Sequence, residues 1–224
     1  MSLEIAPEEA LKTYAKLLGR VTELTASEKS KKNFIDFVYN VWPEFIGGKH
    51  HKVMADKFDR VASGELKRLI VNMPPRHTKS EFASFLLPAW LMGRNPKLKI
   101  MQTTHTAELA FRFGRKVRNL MNSEEFSKIF STVKLRADSQ AAGRWETSDG
   151  GEYFAAGVGG AVTGRGADLL IIDDPHSEQD ALNPNSFEHA YEWYTSGPRQ
   201  RLQPGGSIVV VMTRWAENDL TGKC

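Results

Sequence analysis

The first residues that could perform chemistry are an adjacent lysine and serine, Lys79 and Ser80, which follow an apolar run and two prolines. A lysine ammonium can reach phosphate oxygens, a serine hydroxyl can bind Mg²⁺, and the N–H groups at a helix start favour anions. The spacing fits the phosphate-loop pattern G-x-x-x-x-G-K-[ST], but Met73 and Thr78 replace both glycines. The alternative is a proline-rich turn in which Lys79 and Ser80 only cap a helix.

A pair of adjacent carboxylates, Asp173 and Asp174, follows the apolar run 169–172. Two acids at the end of a buried strand are costly unless a cation or hydrogen bonds compensate. The pair predicts that Asp173 holds Mg²⁺ and that Asp174 orients and deprotonates an attacking water. One alternative is a turn, because Asp-Asp-Pro-His is good turn chemistry. Another is a nuclease metal site formed by Asp173, Asp174 and His176.

A third apolar run, 209–212, ends in Thr213 and Arg214. A hydroxyl at this position could sense a terminal phosphate, and the alternative is an ordinary strand exit with a solvated Arg214. The pair His50 and His51 lacks a second pair of ligands at metal-binding spacing. A position at the surface or beside a nucleotide is therefore favoured for this pair, and we expect an adenine pocket in the segment 42–51.

The elements that must position these residues alternate along the chain. Strands are predicted at 69–73, 97–103, near 132–137, near 151–156, at 169–172 and at 207–212. Helices are predicted at 7–18, about 29–40, 49–63, 79–92, 105–121 and 186–202, with a polar break at 22–30 and another at Gly197-Pro198. This alternation predicts an α/β fold with a mainly parallel sheet covered on both faces. Ligands bind beyond the carboxyl ends of such strands, where all three polar segments lie.

Composition and charge narrow the class of protein. No apolar run approaches the ~20 residues of a membrane span, no signal peptide is recognised, and the only cysteine is Cys224. An intramolecular disulfide is thus excluded, and a reducing cytoplasm fits best. The net charge is +3, yet the segment 94–118 holds seven basic residues and one acid. One face of the predicted helix 105–121 carries the DNA-binding candidates Arg112, Arg115, Lys116 and Arg118; the alternative is a solvated helix face.

Together these segments resemble the large terminase family, the DNA-packaging motors of tailed bacteriophages. The matching segments are 73–81, 103–107, 164–175, 212–215 and 219–222. The resemblance covers about residues 40–222. It implies a three-layer P-loop fold of the ASCE, RecA-like type, and a Mg²⁺-dependent ATPase that drives double-stranded DNA into a procapsid.

The resemblance also implies roles for individual residues. The implied nucleotide-binding residues are Pro75, Arg76, His77, Thr78, Lys79, Ser80 and Glu81. Ser80 and Asp173 would hold the metal, and Lys79, Arg76 and Asp174 would be catalytic. Thr213 lies in the motif that couples hydrolysis to domain movement. Arg165 is the candidate for an arginine that acts in trans on a neighbour's nucleotide, and the alternative is a simple surface arginine.

Two departures from the family pattern are visible. The catalytic carboxylate is usually a glutamate, so Asp174 is one methylene shorter, and we expect slow hydrolysis by the isolated domain. Family members also carry a C-terminal metal-dependent nuclease domain, which this chain lacks. We therefore expect an excised ATPase domain at 46–224, preceded by a helical lead-in at 1–45.

The cofactors implied by the resemblance are ATP and Mg²⁺, and the implied partners are double-stranded DNA, the portal protein and the small terminase subunit. We expect a homo-oligomeric ring on the procapsid and a monomer in isolation, in the host cytoplasm, without secretion or membrane association. Two alternatives stay open. A helicase-like DNA-dependent ATPase would need a second RecA-like domain. A nucleotide-binding subunit without hydrolysis is favoured by the missing glycines and by Asp174.

Overall fold

A seven-stranded sheet forms the centre of the computed structural model, which describes residues 7–224. The strands are β1 (Arg68–Asn72), β2 (Lys99–Thr104), β3 (Leu135–Ala141), β4 (Arg144–Thr147), β5 (Glu152–Gly157), β6 (Ala167–Asp173) and β7 (Leu202–Met212). Their spatial order is β1-β7-β6-β2-β5-β4-β3. The first five strands in this order, from β1 to β5, are parallel to one another. The strands β4 and β3 extend the sheet with antiparallel pairing. The prediction of a mainly parallel sheet is confirmed.

Helices cover both faces of this sheet. They are α1 (Pro7–Lys32), α2 (Phe34–Val41), α3 (Lys49–Ala62), α4 (Leu87–Arg94), α5 (Ala107–Met121), α6 (Glu124–Ile129), α7 (Pro184–Ser196) and α8 (Leu220–Lys223). A π-helical segment, Glu81–Leu86, runs directly into α4, and short 3₁₀ turns occupy Asp180–Leu182 and Pro198–Arg201. One hydrophobic core joins α2 to α6 with one face of the sheet, and a second joins α7 and α8 with the other. The molecule therefore has three layers.

The central strand β6 explains why this sheet is buried on both sides. Its apolar residues 169–172 are at most 2% exposed, and they alternate between the two hydrophobic cores. In a parallel strand that is covered on both faces, no side chain is exposed to solvent, so its sequence is a continuous apolar run. The run ends at Asp173, which is paired in register with Thr104 and Val211. The sheet thus carries this carboxylate to its carboxyl edge.

An aromatic cluster ties α2 to the helices around it. The Phe34 ring meets the rings of Phe58, Phe82 and Trp90 edge-on, at centroid distances of 5.2, 5.4 and 5.5 Å. All four side chains are fully buried, so α2 contributes to the same core as α3 and α4. The division of the chain at residue 45 stays a prediction.

The structure corrects several predicted boundaries. The predicted break at 22–30 is wrong, because α1 continues to Lys32 and the chain interrupts the helix at Asn33. The hydroxyls of Thr22 and Thr25 donate to carbonyls one turn earlier, at 2.9 and 2.8 Å, which accommodates both side chains within the helix. The elements α6 and β4 were not predicted, and β7 begins five residues earlier than predicted. Within residues 7–224, no helix has the length and apolar character needed to cross a membrane.

Candidate active site

The carboxyl ends of β1, β6 and β7 bring the three polar segments together. The backbone N–H of Met73 donates to the Met212 carbonyl at 3.1 Å, so the loop after β1 begins beside the end of β7. Lys79 begins the helix after this loop and is only 5% exposed. Its Nζ lies 2.8 Å from Asp174 Oδ2 and donates to Thr213 Oγ1 at 3.2 Å. The predicted lysine, second acid and threonine therefore contact one another directly.

The first acid, Asp173, is buried and receives two hydroxyl hydrogen bonds. Ser80 Oγ donates to its Oδ1 at 2.9 Å and Ser84 Oγ donates to its Oδ2 at 2.7 Å, while the residue is 1% exposed. Burial, aided by the charge of Asp174, raises the pKa of Asp173 to about 7, and the Ser84 and Ser80 hydrogen bonds oppose this rise. Burial disfavours the ionised form of this carboxylate, so a bound cation would stabilise that form.

Two residues that the sequence analysis missed extend this network. Ser84 lies one helical turn after Ser80, and Gln102 lies inside β2. The amide Nε2 of Gln102 donates to Ser84 Oγ at 3.0 Å, and both side chains are fully buried. Ser80 and Ser84 are four residues apart, so a helix at this position would place both on one face, and this spacing could have indicated Ser84. A second such signal is the polar Gln102, which directly follows the apolar pair Ile100 and Met101 in a predicted strand.

The second acid, Asp174, is held in a turn but remains accessible. Its backbone has φ 39°, its N–H donates to the Val211 carbonyl at 2.9 Å, and its Oδ1 accepts the Thr213 N–H at 2.8 Å. The left-handed conformation is one that aspartate tolerates better than most residues. The side chain is 31% exposed, so one carboxylate can face both the lysine and solvent.

The phosphate-loop segment adopts glycine-like conformations without glycine. Arg76 has φ 64° and Thr78 has φ 59°, both in the left-handed region. Thr78 occupies the position of the second missing glycine, so the backbone geometry survives the substitution. Arg76 and His77 are exposed, and His77 Nδ1 lies 2.9 Å from the Pro75 carbonyl oxygen. These side chains are free to meet a ligand at the mouth of the loop.

The donor set fits a magnesium nucleotide. Ser80 Oγ and Asp173 Oδ1 are hydrogen-bonded neighbours, and a serine hydroxyl with a strand-end aspartate is the pair that holds Mg²⁺ in P-loop enzymes. The nearby Lys79 supplies the positive charge that a phosphate chain needs. The oxygen ligands are those that Mg²⁺ prefers. The residues present are therefore compatible with both implied cofactors.

Other predicted residues lie away from this edge or are engaged elsewhere. Arg165 lies just before β6, and Asp173 lies at the other end of that strand. A strand of this length separates the two residues by about 20 Å. Its guanidinium pairs with Glu152 at 2.5 Å and lies 4.2 Å from the Phe154 ring centroid. It therefore does not reach the site of its own chain.

His176 accepts the Leu220 N–H at 2.9 Å through Nε2. No cluster of three His, Cys, Asp or Glu residues able to hold a metal occurs among the described residues.

The basic face of α5 is partly engaged within the protein. Lys116 pairs with Glu81 at 2.5 Å, which places the predicted nucleotide-binding Glu81 in an ion pair. Arg118 donates to the carbonyl of Gln140. Arg112 and Arg115 are exposed, so these two remain available to an external anion.

Comparison with known proteins finds a likeness in structure alone. No family model matches the chain, and no curated protein matches it. A solved structure, the crystal structure of the large terminase of bacteriophage HK97, matches with a TM-score of 0.55 and 15% sequence identity. The match covers 85% of this chain and 39% of the terminase chain, so this chain spans well under half of that protein's length. The chain thus has the three-layer P-loop fold found in the HK97 large terminase.

Proposed function

We propose that this chain is the ATP-hydrolysing domain of a motor that drives double-stranded viral DNA into a procapsid. The observation that carries the proposal is the meeting of Lys79 and Ser80, at one helix start, with Asp173 at the end of β6, Asp174 just after it and Thr213 after β7. The likeness in fold to a phage large terminase supports the same function.

Binding of the nucleotide rests on Lys79 and on the N–H groups at the helix start. In the structure the lysine ammonium is neutralised by Asp174 at 2.8 Å. A phosphate chain brings several negative oxygens, so it competes with the single carboxylate for this ammonium. We expect Lys79 to exchange Asp174 for phosphate, which leaves Asp174 free as a base.

The metal would be held by Ser80 and Asp173. When bound, Mg²⁺ supplies the positive charge that neutralises phosphate oxygens. Asp173 must lose its proton to act as a ligand, and its raised pKa means that the metal competes with a proton near neutral pH. Ser84 keeps the Oδ2 atom fixed, so the Oδ1 atom stays directed towards Ser80.

Hydrolysis would depend on Asp174. Its carboxylate accepts the Thr213 N–H and is 31% exposed, so it is both oriented and open to water. A positioned carboxylate can take a proton from the attacking water. Thr213 contacts Lys79 through its hydroxyl and Asp174 through its N–H. Any change in that pair is therefore transmitted to the segment after β7.

The rest of the proposed assembly follows from the motor function. The partners would be double-stranded DNA, a portal protein, a small terminase subunit and further copies of this chain in a ring on the procapsid, within the host cytoplasm. Arg165 would serve a neighbour's nucleotide only after leaving its pair with Glu152. A nucleotide-binding subunit without hydrolysis is the second candidate, which the Lys79–Asp174 pair favours because it occupies the base.

Phosphate release from MgATP by the wild type and by Asp174→Asn tests the proposal. Asparagine keeps the shape and an oxygen for the Thr213 N–H but cannot take a proton. We expect the rate to fall by about 100-fold or more, while ATP affinity does not fall, because phosphate no longer competes with a carboxylate for Lys79. Asp149→Asn, in an exposed turn before β5, is the matched control and should leave the rate unchanged. Equal rates for the wild type and Asp174→Asn would contradict the catalytic assignment of Asp174, and no phosphate release by the wild type would favour the subunit without hydrolysis.

A further inference from the structure

A histidine from α3 contacts the phosphate-loop segment directly. His51 is 6% exposed, and its Nε2 lies 2.5 Å from Thr78 Oγ1. Its other ring nitrogen, Nδ1, accepts the Gly48 N–H at 2.8 Å. Because Nδ1 is an acceptor, the neutral ring carries its hydrogen on Nε2, so His51 donates to the Thr78 hydroxyl. The hydroxyl itself donates to the His77 carbonyl at 2.7 Å.

The residue that receives this hydrogen bond is in an unfavourable backbone conformation. Thr78 has φ 59°, where a β-branched side chain is a clear outlier. The left-handed region is unfavourable for residues other than glycine, because Cβ comes too close to the following carbonyl oxygen. The residue lies immediately before Lys79, at the start of the helix whose N–H groups would face phosphate. An interaction from outside the loop is therefore needed to hold this geometry.

The histidine ring is itself held in place. It meets the Phe45 ring edge-on at 4.8 Å and the Phe82 ring at 5.0 Å. Burial, followed by the electrostatic effect of His50 and His77, lowers the pKa of His51, which favours the neutral ring that the Gly48 hydrogen bond requires. A neutral ring retains the acceptor at Nδ1, so the chain from Gly48 through His51 to Thr78 persists.

We infer that His51 is a positioning residue for the phosphate loop, which holds Thr78 in the left-handed conformation that glycine adopts freely. The inference rests on the proposed nucleotide-binding function, and it assigns to α3 the task that a second glycine performs in the ordinary pattern. His51 acts on nucleotide through the loop, by keeping the N–H groups of Lys79 and Ser80 aligned before a phosphate arrives.

A double-mutant cycle between His51 and Thr78 tests this role. Affinity is measured by titration with a fluorescent ATP analogue and Mg²⁺ for the wild type, His51→Ala, Thr78→Gly and the double variant. We expect His51→Ala to weaken binding by about tenfold in the Thr78 background and by less than about twofold in the Thr78→Gly background. Glycine removes the strain that His51 offsets, so the histidine becomes dispensable.

Three further variants and measurements separate positioning from packing. His51→Gln offers an amide donor to Thr78 and should recover part of the lost affinity. His189→Ala is the matched control, since His189 is exposed on α7, which packs on the opposite face of the sheet from α3. Among the variants that hydrolyse ATP, His51→Ala should raise KM more than it lowers kcat. A purely structural role of the ring would instead give the same loss of affinity in both Thr78 and Thr78→Gly backgrounds, which would overturn the inference.

Thermal unfolding without nucleotide distinguishes this inference from the proposed function. The same four proteins should show non-additive changes in Tm, because His51 stabilises the fold through Thr78. If the wild type bound no nucleotide while the Tm changes remained non-additive, the proposed function would fail and the contact would stand. If the wild type bound nucleotide while the Tm and affinity changes were both additive, the contact would fail and the proposed function would stand.

Discussion

At the scale of single residues, Asp173 illustrates how a buried carboxylate is supported. Each of its oxygens accepts one hydroxyl, from Ser80 on one side and Ser84 on the other. Ser84 in turn is fixed by the Gln102 amide. Because a ligand's orientation is set by the groups that hydrogen-bond to it, Ser84 and Gln102 fix the direction of the Asp173 carboxylate.

The Ser84→Ala variant should weaken the response to Mg²⁺ specifically. Loss of an outer hydrogen bond to a metal ligand typically costs about 10–100-fold in metal affinity, and we expect the lower end of this range because Ser80 remains. Phosphate release measured against Mg²⁺ concentration at saturating ATP gives the half-saturating concentration. Ser196→Ala, in an exposed position on α7, is the matched control. An unchanged half-saturating concentration in Ser84→Ala would contradict this role.

The same site shows what could be predicted from sequence. Lys79, Ser80, Asp173 and Thr213 were found because each lies where an apolar run stops, and parallel strands end at one edge. Ser84 was missed because a serine in a helix is normally read as surface. The contact between His51 and Thr78 joins two segments 27 residues apart, and nothing in the local pattern specifies such a pair.

At the scale of elements, continuous apolar runs were the reliable signal. The strands β6 and β7 were predicted because their buried segments contain little besides valine, isoleucine and leucine. The strand β1 was predicted from the apolar run 69–71, although none of its residues is fully buried. The short strand β4, Arg144–Thr147, was missed because only Trp145 marks its buried face as apolar. The helix α6 depends on a cap, since Ser123 Oγ accepts the Phe126 N–H at 3.2 Å. Pairing and capping of such short elements depend on contacts from distant residues.

The element that follows Thr213 is tied back to β6. Asp219 is fully buried, pairs with Arg214 at 2.9 Å and accepts the Trp215 N–H at 3.0 Å. The N–H of Leu220, at the start of α8, donates to His176, which follows Asp173 and Asp174 closely in the chain. The segment from Thr213 to α8 is thereby held at both ends, which suits a part that responds to the site.

The His176 contact should make stability fall at acid pH. Burial lowers the pKa of His176, although the charges of Asp180, Asp219 and Asp174 oppose this. The folded state therefore keeps the ring neutral while the unfolded chain takes a proton at about pH 6.5. The stabilisation is complete above that pH and is lost as the pH falls towards the folded-state pKa.

Urea unfolding at several pH values measures this effect. Between pH 6.5 and the folded-state pKa, the wild type should lose up to about 1.4 kcal/mol per pH unit from this single proton. His176→Gln removes the titrating group, so its stability should decline less steeply over the same range. Glutamine still offers an acceptor oxygen to the Leu220 N–H, so the comparison of the two proteins isolates the effect of the titrating proton. Parallel pH profiles for the two proteins would contradict the assignment.

At the scale of the whole molecule, the strand order decides which residues meet. Because β7 lies between β1 and β6, the segment after β7 emerges between the lysine loop and the acids. Thr213 consequently contacts both Lys79 and Asp174. The order of strands is a property of long-range packing, so the sequence predicted the members of this site but not the central place of Thr213.

In the folded molecule, the basic face of α5 contacts the segment that contains Lys79 and Ser80. Lys116 pairs with Glu81, which follows Ser80, and its ammonium lies 4.5 Å from the Phe85 ring centroid. Arg112 and Arg115 project from the same side of the helix and are exposed. DNA phosphates held by these two arginines would lie on a helix that contacts the proposed nucleotide site.

Replacing Arg112 and Arg115 together by alanine should weaken binding of duplex DNA equally for all sequences. Contacts to phosphate carry no sequence information, and each one lost should lower the slope of log affinity against log salt by about 0.9. We therefore expect the double variant to lower the slope by about 1.8, measured by fluorescence anisotropy at several salt concentrations. Arg136→Ala is the matched control, because Arg136 on β3 already pairs with Asp138 and Glu146 at 2.7 Å each. If both variants gave the wild-type slope, α5 would be an ordinary solvated face and the DNA would bind elsewhere.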